Sequence, residues 1–182
     1  QFGPCVLPDR VVSYSHHLSH AAAGFQTSPF HSATVVVIDA IGEFDTVTIW
    51  GAEYSMGRAQ YKKLWGQRYP HSIGLFYSAI TKRLGLRPMD EEYITMGMAA
   101  YGSSMSSIQM YDNLIADSYE VRFKENLHLG LSENDYFQYD DYDIAAGAQK
   151  VAEDLIYSVM RRAHRFEWST NLVYQGGVAL NC

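Results

Sequence analysis

Apolar and polar positions change rhythm along this chain, and the changes mark its elements. Residues 33–39 (ATVVVID) form a near-continuous β-branched run, the pattern of a strand covered on both faces. Residues 44–52 (FDTVTIWGA) alternate like a half-exposed strand, which makes the intervening DAIGE a hairpin turn. Residues 61–69 add a third strand. Ahead of them, residues 11–25 turn helical in their second half, where SHHLSHAAAGF offers a serine cap, several alanines and a glycine stop. Residues 72–84 place Ile73, Phe76, Tyr77, Ile80 and Leu84 at helical spacing, with Gly85 as C-cap. A second such helix covers residues 91–101 and stops at Gly102, and a short third covers 108–116. Residues 119–123 and 127–129 pair as short strands. The longest helix runs over 144–168, with Ile144, Ala148, Val151, Leu155, Val159 and Ala163 on one face, and residues 172–175 make a last buried strand before a double glycine. Strands opening a domain and helices following them predict an α/β fold, a mixed sheet that starts as an antiparallel meander with helices packed on it.

Composition narrows the class without naming it. Hydrophobic residues make up 47% of the 182 and charged residues 19%, which suits a globular chain. The formal charge of -6 excludes an unaided, non-specific grip on a nucleic-acid backbone, which needs clustered Lys and Arg. Cys5 and Cys182 stand at opposite ends with no CxxC pairing, so a reduced, cytoplasmic protein is expected. No apolar run reaches the ~18 residues of a membrane span. The chain starts at Gln1 and stops at GGVALNC, just after a strand and at a helix start, so both ends are expected to be cuts.

Four constellations can carry chemistry. His16 and His20 stand four apart on a helix, so both imidazoles leave one face and can reach one metal ion. Alone, the cluster fits a half-buried histidine patch at least as well. Asp39 ends the buried strand and points its carboxylate at whatever cleft lies above the sheet. Gly42 behind it can take positive φ and free backbone N–H groups for an oxyanion, with Glu43 beside it; an ordinary β-turn uses the same residues. Gly176 and Gly177 join a strand to a helix start, which suits a phosphate cradle or close packing alike. Gly74 and Gly97 lie inside helical patterns, where glycine costs about 1 kcal/mol against alanine and marks close packing or a nearby ligand. Residues 135–143 (DYFQYDDYD) are expected to be a solvated loop. Arg161, Arg162 and Arg165 are expected to share one exposed helix face or to touch further chain.

The segments HHLSHAAAGFQTSPF, VVIDAIGEFDT, PHSIGLFYSAITKRLGL, EEYITMGMAAYG and YQGGVALN occur in the order seen in O-carbamoyltransferases, which the chain resembles. That family (the NodU type) includes nodulation-factor, cephalosporin and aminoglycoside-antibiotic carbamoyltransferases. The resemblance covers residues 14–182, with a less distinctive stretch over 103–170. It implies a ribonuclease-H-like fold of the actin/hsp70 (ASKHA) type, incomplete here, and a C-terminal YrdC-like domain absent from this sequence. It implies a fragment inactive alone, whose complete form uses ATP and carbamoyl phosphate to make carbamoyl-adenylate and passes the carbamoyl group to a small hydroxyl acceptor. His16, His20 and Asp39 then bind a divalent metal, iron(II) above all, with a further aspartate ligand beyond Cys182. Gly42, Glu43, Gly176, Gly177 and Asn181 fall at the nucleotide site. The same resemblance leaves room for a tRNA threonylcarbamoyl transferase or a non-catalytic nucleotide-binding scaffold. Two departures stand out: Ala40 replaces a common glycine, and Ile94 replaces a common lysine, which removes a phosphate or substrate contact. No motif specifies the acceptor or an oligomeric state.

Overall fold

The computed structural model describes residues 11–131, 135–136 and 138–181. Cys5 and Cys182, on which the reduced-protein expectation rests, lie outside the described residues, as does Phe137 of the DYFQYDDYD segment. Helix α1 (His16–Thr27) leads into strands β1 (Ser32–Gly42), β2 (Asp45–Ser55) and β3 (Arg58–Arg68). Helices α2 (Ile73–Arg83), α3 (Glu92–Ala99) and α4 (Ser106–Leu114) follow, then the short strands β4 (Ile115–Asp117) and β5 (Arg122–Phe123). Helix α5 (Asp141–His164) and strand β6 (Leu172–Gln175) close the chain, ending in a tight turn over Gly177–Leu180.

The sheet order is β3-β2-β1-β6, antiparallel through the meander and parallel where β6 meets β1. The β-branched run of β1 is explained by this central place, because each of its faces is covered by a different layer. Val36 and Ile38 face α2, α4 and α5 in the larger core, with Val47 and Ile49 of β2. Val35 and Val37 face α1, where Ala21, Phe25, Trp50 and Val173 complete a smaller core. Adjacent positions on one strand thus serve opposite layers, as the pleat requires. Each fully buried Val, Leu, Ile or Phe side chain contributes about 1.5–3 kcal/mol, so β1 and α2 anchor the fold.

Several expected boundaries move. DAIG is not turn but strand: β1 runs on to Gly42, which pairs with Asp45, with an irregularity in register between Ile38 and Gly42. The turn is only Glu43 and Phe44, and Glu43, not Gly42, takes the left-handed φ of 60°. Gly24 does not stop α1; the helix continues to Thr27 because Gly24 is buried inside it, and a Cβ there would lie 2.4 Å from Gln175 Cγ. Residues 115–116 leave the predicted third helix for β4, since Ile115 is buried and pairs with Phe123. Leu127–Leu129 is a helical turn capped by Asn126 and not a strand. The longest helix starts at Asp141, capped by the Asp140 carboxylate on Asp143 N–H at 2.8 Å, so part of the acidic loop is its first turn. Arg162 is not on an exposed face: its guanidinium stacks 4.6 Å from the Trp65 ring centroid and 4.8 Å from that of Tyr119, and pairs with Glu120 at 2.6 Å. No helix among the described residues is long and apolar enough to cross a membrane.

Candidate metal centre and adjoining cavity

The first turns of α1 lie over the end of β1, and the two elements bring three donor groups together. His16 Nε2 is 2.8 Å from Asp39 Oδ2, His20 Nε2 is 3.2 Å from the same oxygen, and the two ring nitrogens are 3.1 Å apart. Spacing of four on a helix aligns the imidazoles, and the strand end supplies the carboxylate. Asp39 is held partly buried, and burial alone would raise its pKa. A hydrogen bond to His16, another from the Ala40 N–H to Oδ1 at 2.8 Å, and the charges of His16 and His20 outweigh that and hold the carboxyl below its ordinary value. An ionised carboxylate with two imidazole nitrogens is a donor set that suits zinc, iron and their neighbours. Donors spaced near 3 Å also match neighbouring ligands at ~2.1 Å from one ion. The set equally satisfies itself as a histidine–aspartate cluster, so the fit permits a metal without requiring one.

Gly42 serves this corner by its size. A Cβ on it would stand 2.5 Å from His16 Cδ2 and 2.6 Å from His17 Cδ2, so both rings occupy the space a side chain would need. Glu43 is exposed at the hairpin tip, with Phe44 beside it.

A cavity of about 330 Å³ opens on the other side of Asp39. Ile73, Tyr77 and Ser78 of α2, Glu92, Tyr93 and Met96 of α3, and Gly177, Val178 and Asn181 line it. Gly176 and Gly177 bring the chain close over β1. Gly176 has φ 99° and a Cβ there would fall 2.1 Å from the Ile38 carbonyl, while a Cβ on Gly177 would reach Asp39 Oδ1 at 3.0 Å. Asn181 is held by a two-way amide pair with Gln149 of α5, at 2.8 and 3.0 Å, and the Tyr77 hydroxyl donates to the same Gln149 oxygen at 2.8 Å. Burial chiefly pushes the Tyr77 hydroxyl up to about 12, so it stays a donor. The Ser78 hydroxyl and the Met89 N–H both donate to Glu92 Oε1 at 2.6 Å, which fixes that carboxylate in the wall. Asp39, Asp90 and Glu92 are its charged lining residues, all acidic.

Thus His16, His20 and Asp39 meet in one cluster, and Asp39 joins Gly177 and Asn181 in the cavity wall, whereas Gly42 packs beneath the histidines and Glu43 stands outside the cavity. Gly74 is explained by packing, since a Cβ would lie 2.6 Å from Ala40 Cα. A Cβ at Gly97 would meet nothing within 4 Å, so close packing does not account for that glycine. Sequence reasoning missed Gln149 and the role of Tyr77, because a polar residue on a long helix carries no motif. It also passed over His17, whose ring is 2% exposed and whose Nδ1 lies 2.9 Å from Thr48 Oγ1. Burial lowers the pKa of His17 against the raising effect of Asp45 and Asp39.

Comparison with known proteins extends the resemblance. A family described as the carbamoyltransferase N-terminus matches residues 5–182. An uncharacterized protein of Synechocystis is 31% identical over 205 residues, covering 100% of this chain and 33% of that protein. Nodulation protein NolNO of Sinorhizobium fredii is 30% identical over 196 residues, covering 100% of this chain and 28% of its own length. Nodulation protein NolO of Bradyrhizobium diazoefficiens is 28% identical over 179 residues, covering 92% of this chain and 32% of its own length. The chain therefore spans about a third of the length of these relatives.

Proposed function

This chain belongs to the carbamoyltransferase family, through the region described as that family's N-terminus, and from that premise we propose that it serves ATP-dependent transfer of a carbamoyl group to the hydroxyl of a small acceptor. The observation that carries the reading is the meeting of His16, His20 and Asp39 within 3.2 Å, with Asp39 also lining a cavity that Gly177 and Asn181 help to form. In this proposal the three side chains hold a divalent metal, iron(II) in the first place. Such an ion, when bound, supplies Lewis-acid polarisation at the reacting oxygens.

The chain's own residues then divide the work. Asp39 stays ionised and orients both imidazoles through their Nε2 atoms. The turn at Gly176 and Gly177 lets the chain pass close over Ile38 and Asp39 of β1, which brings Asn181 to the cavity. The cavity between α2, α3 and α5 receives the uncharged nucleoside part of ATP or of carbamoyl-adenylate. Its acidic lining would repel phosphates, while Asn181 and Tyr77 offer fixed polar groups to hydroxyls. The strand order β3-β2-β1-β6, with three antiparallel strands and a parallel fourth, supports reading the fold as ribonuclease-H-like. A second, YrdC-like domain and a further aspartate ligand belong to the same proposal, as does a cytoplasmic setting.

The test is turnover of the intact protein with ATP, carbamoyl phosphate and a panel of hydroxyl acceptors. Consumption of both donors with acceptor carbamoylation is expected, and loss of at least 100-fold, about 2.7 kcal/mol of transition-state stabilisation, for His16→Ala and His20→Ala. Undiminished carbamoylation by both variants would sink the assignment of these residues.

A further inference from the structure

His17 sits between two proposed ligands, yet its ring turns toward β2, with its centroid 5.8 Å from that of His16. It follows His16 by one residue, about 100° around the helix, so it turns into the sheet while His16 and His20 face Asp39. The ring is buried, and its Nδ1 lies 2.9 Å from Thr48 Oγ1. The Trp50 indole donates to that same oxygen at 2.7 Å. An indole N–H only donates, so the threonine oxygen accepts there and its own proton is free for His17 Nδ1. The ring proton then belongs on Nε2, which is buried without a partner among the described residues.

That arrangement is laid across the strand that carries Asp39. Thr48 on β2 pairs with Val37, two residues before Asp39 on β1. The far edge of the His17 ring presses on Gly42, three residues beyond Asp39, where a Cβ would stand 2.6 Å from Cδ2. The ring is therefore held from one side by a hydroxyl and from the other by backbone, and both holds bracket the aspartate. Metal ligands must keep their distances to within ~0.2 Å, and the first turn of a helix has no such rigidity of its own.

We infer that His17, Thr48 and Trp50 form a positioning relay that fixes the rotation of α1, so that His16 and His20 meet Asp39 as a preformed ligand set. The inference rests on the metal reading above, and it concerns groups that touch no ligand. Removing the Thr48 hydroxyl leaves the three donors in place but lets the helix turn. The loss then appears in affinity and coordination, which a purely structural role in stability would not move.

The experiment compares wild type, His16→Ala, Thr48→Val, Thr48→Ser and Trp50→Phe, each shown folded by circular dichroism at the working temperature. Long-range proton–nitrogen correlation spectra of the metal-free protein report the tautomer: His17 carrying its proton on Nε2 in wild type and in Thr48→Ser is expected, and a change in Thr48→Val. Cobalt(II) alone is then titrated and followed by its visible absorption. Wild type and Thr48→Ser should agree within about twofold, with Thr48→Val weaker by ~10-fold or more, the range for outer groups that orient ligands, and Trp50→Phe between. Equal cobalt affinity and spectrum in wild type and Thr48→Val, with His16→Ala much weaker, overturns the relay while sparing the metal reading. Equal affinity in wild type and His16→Ala overturns the metal reading and the relay with it.

Discussion

Helices α1 and α2 both pack at the end of β1, and they are built in opposite ways. Helix α2 has nine of its eleven residues buried, and Ser72 caps it by accepting from Leu75 N–H at 3.1 Å. Helix α1 buries His17, Ala21, Gly24 and Phe25 out of twelve, and its flanking Ser15 makes no side-chain cap. One helix is wedged into the core by shape, and the other is pinned by a few contacts while most of its first turns stay open. The difference separates two tasks. A buried helix defines where the strand end lies, and a lightly held one presents imidazoles to it. It follows that substitutions of the buried α2 side chains should act on stability and those of the open α1 imidazoles on ligand chemistry.

The largest effect should come from Phe76→Ala, which opens a cavity in the main core and should cost about 3–5 kcal/mol in denaturant unfolding. Gly74→Ala is next, because the new Cβ meets the Ala40 backbone at 2.6 and 2.7 Å and neither side can yield; overpacking of this kind costs about 1–3 kcal/mol. A smaller, pH-dependent effect lies at His71, where burial and then the charge of Arg122 hold the imidazole below its ordinary 6.5. Its Nδ1 accepts the Phe123 N–H at 3.2 Å and can do so only while unprotonated there. The folded value lies below the unfolded one, so this contribution is complete above pH 6.5 and is lost as pH falls through the folded value. Melting temperature should fall less steeply in His71→Gln than in wild type as pH drops from 6.5 through the folded value. Smallest of all, the double change of His16 and His20 to Ala should cost about 1 kcal/mol, because Asp39 loses both imidazole partners but keeps its bond from the Ala40 N–H. A loss there as large as that of Phe76→Ala would erase the contrast between the two helices.

The elements that shape dictates were readable from the chain. Residues 33–39 announced β1 because a strand covered on both faces must be apolar at every position, and residues 172–175 match β6 end to end. The spacing of Ile73, Phe76, Tyr77 and Ile80 gave α2 for the same reason. What escaped depended on partners distant in sequence. DAIG read as a turn because Asp and Gly favour turns locally, while its pairing across the hairpin drew it into β1. Arg162 read as a surface charge, since nothing near it foretold Trp65 and Tyr119. In the candidate site, His16, His20 and Asp39 were legible as types and spacings, and the resemblance grouped them. Gln149 and Thr48 were not, because a single polar residue in an apolar pattern looks the same whether it faces solvent or a site. Gly42 was legible as important, but its task is to make room for two rings.

The central claim is that His16, His20 and Asp39 hold one metal ion. Crystals of the protein grown with iron(II) under anaerobic conditions, with diffraction recorded on both sides of the iron absorption edge, test it most directly. The account predicts one anomalous peak between His16 Nε2, His20 Nε2 and Asp39 Oδ2, at ~2.0–2.2 Å from each. Ordered density for those three side chains with no peak between them, or an iron peak elsewhere alone, would contradict it.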